Sequence, residues 1–440
     1  MLQRQGWQWA AGLAVLALVG CASTPAPVRT LLPALSAGDT DPKKGFETPT
    51  SVEASKLLSD ALRQGPYHTV NDTVESDGYM RIYTISSEFG EFRAYGDDLL
   101  RIRVGEVAAL AELREMSSGS EFSQALAATA KSPFIAAWKL VTNPVRTITG
   151  IPRGAANALR SAAELSRGER SEFEDGALAS LFGFERDKRR LAHQLGVDPY
   201  SSNPALQREL NRIAWVTTMG SLPTRLIPFG GDEAPPPMSA GLGTERVGDM
   251  ILDYSPEDMR RINRIELSVM GVSDELRREF IGHSWYSPLR QSQLVAHLAA
   301  MDLTRDREVF VEAALQAASE EDGILYERSA ELLRAYHENR EAIVRLLNLG
   351  PVVAGLTADQ GLVVPLPLDH AVWTRPIQRV ANLLFNARLA DGEISDREIL
   401  VTGTLSDLAR KRIESRKIGV IEQALEKLRP ADSTAEAGIR

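Results

Sequence analysis

Six histidines, at positions 68, 193, 283, 297, 337 and 370, are the residues in this chain best suited to moving a proton near neutral pH. Two of them sit beside carboxylates. Asp369-His370 ends a Pro-rich extended run, and Tyr336-His337-Glu338 lies inside a helical pattern. General-base catalysis needs an imidazole, a carboxylate and a nucleophile gathered in space, and linear spacing does not establish that gathering. The competing role for scattered single histidines is a surface or hydrogen-bonded core position. The G-x-S-x-G elbow, the S-x-x-K pair, the phosphate-binding P-loop and the H-E-x-x-H zinc helix are all absent from the sequence.

Two glycine-containing stretches come closer to ligand-binding spacing. Gly241-Leu242-Gly243-Thr244-Glu245-Arg246-Val247-Gly248 misses the dinucleotide pattern and follows prolines instead of a strand, so it reads as a loop. Ala390-Asp391-Gly392-Glu393-Ile394-Ser395-Asp396-Arg397-Glu398 has the later half of a calcium-loop pattern, with Gly392 at the turn and Glu398 in the bidentate position. The first two ligand positions would be Ala387 and Leu389, which carry no side-chain oxygen. A plain helix-to-strand turn is expected there, and neither a metal nor a cofactor. His283-Ser284-Trp285-Tyr286-Ser287-Pro288 is an aromatic loop ahead of a helix, read as packed between helices, with a recognition loop as the alternative.

The single cysteine, Cys21, directs the chain to a location. It closes a short apolar run, Ala10 to Val19, and stands in Leu18-Val19-Gly20-Cys21 followed by Ala22-Ser23. That run is too short to span a bilayer, which takes about 20 residues. With one basic residue ahead of it, Arg4, it has the outline of a signal peptide. The motif resembles the lipobox of bacterial lipoproteins, and the resemblance covers only the first few dozen residues. It implies that Cys21 receives a diacylglycerol, that residues 1–20 are removed and that the new amino group is acylated. Several acyl chains, at about 0.8 kcal/mol per buried CH₂, exceed what stable anchoring requires. Ala22, where an Asp would signal retention, implies the outer membrane, facing the periplasm. The alternative is an ordinary secreted protein with a stray cysteine. With Cys21 acylated no thiol remains for a disulfide, a metal or nucleophilic attack.

The formal charge of −9 becomes −10 when residues 1–20, with Arg4, are removed. An acidic balance argues against nucleic acid as a partner, because binding phosphates requires a basic footprint. The length suits one large domain or two to three smaller ones. Composition, 43% hydrophobic and 25% charged, is that of a globular protein. No second apolar run reaches spanning length.

Residues 21–50, rich in Pro, Ala, Ser, Thr and Gly, read as a flexible tether with an r.m.s. reach of roughly 30 Å. Residues 51–229 then form a first region, with a short helix over 52–62, a β-meander over 67–95 and a helix from Gly96-Asp97-Asp98 to about Met116, Asp98 serving as its cap. Phe184 to Leu195 is amphipathic helix stopped by Gly196, and Asn203-Pro204 starts another. Residues 230–248, with Pro235-Pro236-Pro237 and three further glycines at 241, 243 and 248, are the best interior boundary. In the second region, 249–430, Ser255-Pro256 opens a helix, and helices are expected over 274–281, 288–301, 305–318, 322–348 and 376–389. Residues 361–368 are extended. A strand at 398–402, a helix at 406–416 and a strand at 418–421 follow, and 431–440 should be disordered. The fold class is therefore α+β, predominantly helical, with a small meander and a short C-terminal β-α-β region.

Residues 122–163 contain no Asp or Glu, although the chain holds 59 acids in 440 residues. Within them Phe134, Trp138, Val141, Val145 and Ile148 recur at alternating spacings of four and three, while Lys139, Arg146, Arg153 and Arg160 follow at seven-residue intervals. Two readings stay open. The basic stripe faces anionic lipid with Phe134 and Trp138 at the interface, or the apolar stripe is buried against neighbouring helices and the bases pair with acids elsewhere.

The leading functional expectation is a lipid-anchored cell-envelope protein, non-catalytic, that binds an envelope protein partner or acts as a scaffold. An envelope hydrolase with an unfamiliar site, around Asp369-His370 or His337, is the alternative. A membrane-surface-active protein using residues 122–163 is the third reading.

Overall fold

The computed structural model describes residues 35–36, 38–117, 176–218, 252, 254–350, 352–389 and 392–428. Cys21, Phe134, Trp138, Lys139, Arg146, Arg153 and Arg160 lie outside the described residues, as do residues 230–248 and the 431–440 tail.

Five strands form the first sheet: β1 (Val52–Glu53), β2 (His68–Val70), β3 (Thr73–Ser76), β4 (Arg81–Ser87) and β5 (Gly90–Tyr95). β4 is its spine. It pairs antiparallel with β5 along one edge and with β2 and β3, end to end, along the other. Alternation explains its orientation, because Tyr83 and Ile85 are fully buried while their neighbours are not. The chain then enters α1 (Asp97–Ser117), whose sequence is apolar over much of its circumference, as a helix buried on several sides requires. Leu99, Leu100 and Val104 pack on the sheet. Leu110, Leu113 and Met116 pack on Leu191, Leu195, Leu206 and Leu210 from α2 (Gly176–Leu195) and α3 (Pro204–Thr218).

Helices α4 (Pro256–Val269), α5 (Asp274–Ile281), α6 (Pro288–Ala300), α7 (Glu308–Ala314) and α8 (Glu320–Asn339) follow. Serines start four of them. Ser255 and Asp258 form a capping box on α4, and Ser273, Ser287 and Ser319 cap α5, α6 and α8. The second sheet has the order β12-β10-β8-β7-β6. β6 (Ile343–Asn348), β7 (Val353–Thr357) and β8 (Leu362–Leu366) are antiparallel neighbours. β8, β10 (Arg397–Val401) and β12 (Gly419–Ile421) are parallel, joined through α9 (Arg375–Asn386) and α10 (Asp407–Glu414). A two-residue pair, β9 (His370–Ala371) with β11 (Thr404–Leu405), continues beyond the ends of β8 and β10. Every residue of β7 and β8 is buried, as in a sheet covered on both faces. The chain ends its described part in α11 (Ala424–Lys427).

The protein is an α+β protein in which helix predominates, as expected, and the C-terminal strand-helix-strand expectation is met by β10, α10 and β12. Four local expectations are corrected. Residues 52–62 are not one helix, because Val52 and Glu53 pair with β3 and only Asp60–Arg63 makes an α-helical turn. The helix expected over 322–348 ends at Asn339, and 343–348 is strand β6. The helix expected over 305–318 is confined to Glu308–Ala314. The tether does not extend to residue 50: Phe46 is buried in the main core, and the backbone N–H of Glu47 donates to Trp373 O at 2.8 Å. The two regions also share packing. Tyr79 and Met80 from the first belong to the core of the second, and Ile324 of α8 packs in the core of the first sheet.

Candidate functional site

Parallel strands make a crevice beyond their carboxyl ends, the usual ligand position in open α/β sheets. Here β8 runs out through Pro367-Leu368-Asp369-His370 and β10 through Thr402-Gly403-Thr404. The two exits are stitched together. Gly403 N–H donates to Leu368 O at 2.8 Å, and Thr404 N–H donates to Asp369 O at 3.1 Å. Thr402 Oγ1 donates to Leu368 O at 3.0 Å. The approach requires glycine, because a Cβ on Gly403 would stand 1.9 Å from Asp369 O. His370 Nδ1 lies 2.8 Å from Thr404 Oγ1.

This crevice is filled by the chain's own first region. Asp77 accepts hydrogen bonds from the N–H groups of Tyr79 and Met80 and so shapes a tight turn, with Gly78 in the left-handed region at φ +92°. The turn inserts its carbonyls into the crevice. Tyr79 O accepts from the N–H groups of Asp369 and His370, both at 3.1 Å, and Gly78 O accepts from Val372 N–H at 3.1 Å. In return the Asp369 carboxylate accepts from Arg81 N–H at 2.9 Å and from Asp97 N–H, the first amide of α1, at 3.2 Å.

The electrostatics at Asp369 are divided. Burial, and next the negative charge of Asp97, raise its carboxyl well above the usual carboxylate range, while the amide donors and Arg81 pull the other way. Asp97 itself accepts from Arg81 Nη1 at 2.8 Å and from the Tyr83 hydroxyl at 2.5 Å. Burial, followed by the charge of Asp97, pushes the Tyr83 phenol far upward, so it remains a donor. Burial and then Arg81 lower His370, which favours neutral imidazole.

Beside this pair a cavity of about 20 Å³, room for a single water, is lined by Met80, Gly96, Asp98, Arg328, Asp369 and Thr402 among others. Its far wall begins a second buried network. Arg328 makes a bidentate pair with Asp98, Nε to Oδ2 at 2.9 Å and Nη2 to Oδ1 at 3.1 Å, and also binds Glu331. Asp98 is thus the partner of Arg328 across the interface, not the helix cap expected of it. Glu327 takes His297 Nε2 at 3.2 Å and Arg290 at 3.5 Å. Burial works to raise Glu327, but Arg328, His297 and Arg290 outweigh it and hold the carboxyl at about 2. Further along α1, the buried Glu106 accepts from Arg103, Ser201 and Asn203, and Arg103 reaches Glu320. Ser202, in the loop between α2 and α3, also donates to Glu320, so this loop joins α1 to α8. Asp198 of the same loop accepts from Ser287 at the head of α6.

The histidines do not converge. His337 Nδ1 accepts from Ile343 N–H at 3.0 Å, and His283 Nε2 and His68 Nε2 each sit on a carbonyl, of Leu315 and Leu62. The 283–288 loop is packed between helices: Tyr286 is buried, with its hydroxyl on Ala314 O at 2.8 Å, and Trp285 is exposed. Glu398 accepts from Tyr336 of α8 and from Arg340 just beyond its end. Among the described residues no group of three or more His, Cys, Asp or Glu is placed to hold a metal, and no helix is long and apolar enough to cross a membrane. The sequence named Asp369 and His370 but not Asp97, Arg81, Tyr83 or Arg328. The one available signal was the doubled acid Asp97-Asp98 at the start of a helix with few exposed positions to account for it.

The fold and site define an α+β protein whose sheet-end crevice is closed by its own N-terminal turn. No family model matches the chain, and no curated protein or solved structure is significantly similar to it.

Proposed function

We propose that the chain is a lipid-anchored cell-envelope protein, attached through Cys21 to the periplasmic face of an outer membrane, whose folded body binds or scaffolds another envelope protein. The observation that carries the non-catalytic reading is the filled crevice. Tyr79 O occupies the amides of Asp369 and His370, and the Asp369 carboxylate is committed to the amides of Arg81 and Asp97. Groups spent in this way hold two parts of a fold together and present no face to a substrate. The test is a pull-down of the native lipoprotein from detergent-solubilised envelopes. A stoichiometric envelope protein, lost when the folded body is denatured, is the expected result. Recovery of nothing above the empty-resin control contradicts the binding role.

One observation favours the hydrolase reading, namely two carboxyls side by side, with burial and the charge of Asp97 raising that of Asp369, an arrangement that clusters at active sites. It requires the Gly78–Met80 turn to leave the crevice. Ester and peptide substrate panels on the wild type and on Asp369→Asn separate the two readings, because a hydrolase loses its turnover in the variant and a binding protein shows none in either.

A further inference from the structure

The chain enters its folded body at one identifiable place. Leu35 packs on the main core, and the segment behind it is pinned to the head of α9, where Arg375 N–H donates to Asp39 O at 3.0 Å and Arg375 Nη2 donates to Gly38 O at 3.2 Å. Glu47 then accepts from Trp373 N–H and from the Ser406 hydroxyl, both at 2.5 Å, which ties the segment to the head of α10 as well. Cys21 lies fourteen residues before Leu35, so an acyl group on it is held within about 50 Å of this face even with the intervening chain fully extended.

This face is basic in a chain whose formal charge is −9. Lys43 and Lys44 are exposed on the turn Pro42–Lys44, and Arg379 and Arg412 are exposed on α9 and α10. Arg412 adjoins the turn, since a Cβ on Gly45 would lie 3.8 Å from its Nη2. Arg416 is laid over the Trp373 ring at 5.2 Å, and Arg375 over Phe46 at 5.9 Å. The acids among them are Asp39, paired with Arg375 at 3.5 Å, Asp41, 3.6 Å from Lys44, and Glu47, held on Trp373 N–H and the Ser406 hydroxyl. Six cations against three anions leave a net positive surface at the point where the anchored segment joins the body.

We infer that this surface, formed by Lys43, Lys44, Arg375, Arg379, Arg412 and Arg416, docks on the anionic phospholipid headgroups of the membrane that holds the anchor. The inference rests on the lipoprotein reading for which membrane it meets. Charge complementarity supplies the attraction, and the short connection to Cys21 supplies the proximity. An acidic protein would match the charge equally, but it would not explain why the basic residues gather at the root of the anchored segment.

The experiment uses the mature chain, residues 21–440, carrying Cys21→Ser, so that neither an acyl chain nor the apolar run Ala10 to Val19 contributes. It is co-sedimented with vesicles of phosphatidylglycerol and phosphatidylcholine, and with phosphatidylcholine alone as reference. Binding to the anionic vesicles above the neutral reference, weakening as salt is raised, is expected. The added substitutions Arg379→Gln and Arg412→Gln should lower the partition coefficient by roughly 25-fold, at about fivefold per charge, with the thermal melt unchanged. Joint Gln substitution of Lys139, Arg146, Arg153 and Arg160 should leave binding in place. Three results overturn the inference: no preference for anionic vesicles, retention of that preference in the Arg379→Gln/Arg412→Gln chain, or its loss on substituting the four residues of the 139–160 stripe. Failure of acylation at Cys21 in cells would instead remove the lipoprotein reading and leave the vesicle result standing.

Discussion

The carboxylate of Asp369 accepts the backbone N–H of Asp97 at 3.2 Å, across 272 positions of sequence. One side chain at the exit of β8 therefore supplies an acceptor to the first amide of α1, which no helical carbonyl can satisfy. Removing that acceptor leaves buried N–H groups at Arg81 and Asp97. Asp369→Ala should cost about 2–6 kcal/mol in urea denaturation, at about 1–3 kcal/mol for each orphaned donor. Asp369→Asn keeps one oxygen for both amides and at about pH 4 should lie within about 1 kcal/mol of wild type.

The pH dependence at the same residue has a definite sign. A carboxyl raised in the folded state contributes stability in full below the ordinary carboxylate value of 3.8, and that contribution is lost as the pH rises through the folded value. Asp369→Asn cannot ionise. Its stability relative to wild type should therefore increase as the pH is raised from about 4 toward neutrality, read from denaturation midpoints at several pH values.

Glu327 runs in the opposite direction. Its carboxyl is held at about 2, against an ordinary 4.5, so it contributes stability above about pH 4.5 that disappears as the pH falls toward 2. Glu327→Gln should remove most of this acid-sensitive component, on the order of 3 kcal/mol, and flatten the acid limb of the stability profile. Arg328→Met leaves Asp98, Glu331 and Glu327 without their shared cation and should cost about 3–5 kcal/mol at neutral pH.

Gly403 tests the stitching of the two strand exits. The Cβ of Gly403→Ala would meet the carbonyl oxygen of Asp369 at 1.9 Å, a backbone atom that cannot swing aside. A loss of about 3 kcal/mol is expected. Gly392→Ala is the control, because its nearest neighbour is the flexible Gln360 side chain at 3.5 Å, and its midpoint should move little.

These relationships were legible in the sequence only in part. The meander of β2 to β5 was readable because β-branched and aromatic residues alternate between Gly-containing turns. Helix starts at Ser255, Ser273 and Ser287 were readable because a serine cap acts within its own turn. β6 was hidden by a bulge between Ile343 and Arg345, which moves the next buried position to Leu346. The resulting spacing of three imitates a helix. Glu327, Arg328 and Glu331 look like a solvated helix face in one dimension, yet all three are buried. Their partners come from α1 and α6, and the pairing of Asp97 with Asp369 depends on a contact between distant parts of the chain that no local pattern encodes.

The claim on which the proposed function depends is the acylation of Cys21. Cells expressing the wild-type chain and its Cys21→Ser variant should be fed an alkyne-bearing palmitate, fractionated, and probed for label on the protein. A labelled wild-type protein in the outer-membrane fraction is expected, together with an unlabelled variant that is absent from that fraction and keeps residues 1–20. An unlabelled wild-type protein recovered from the same fractions as the variant would contradict that claim.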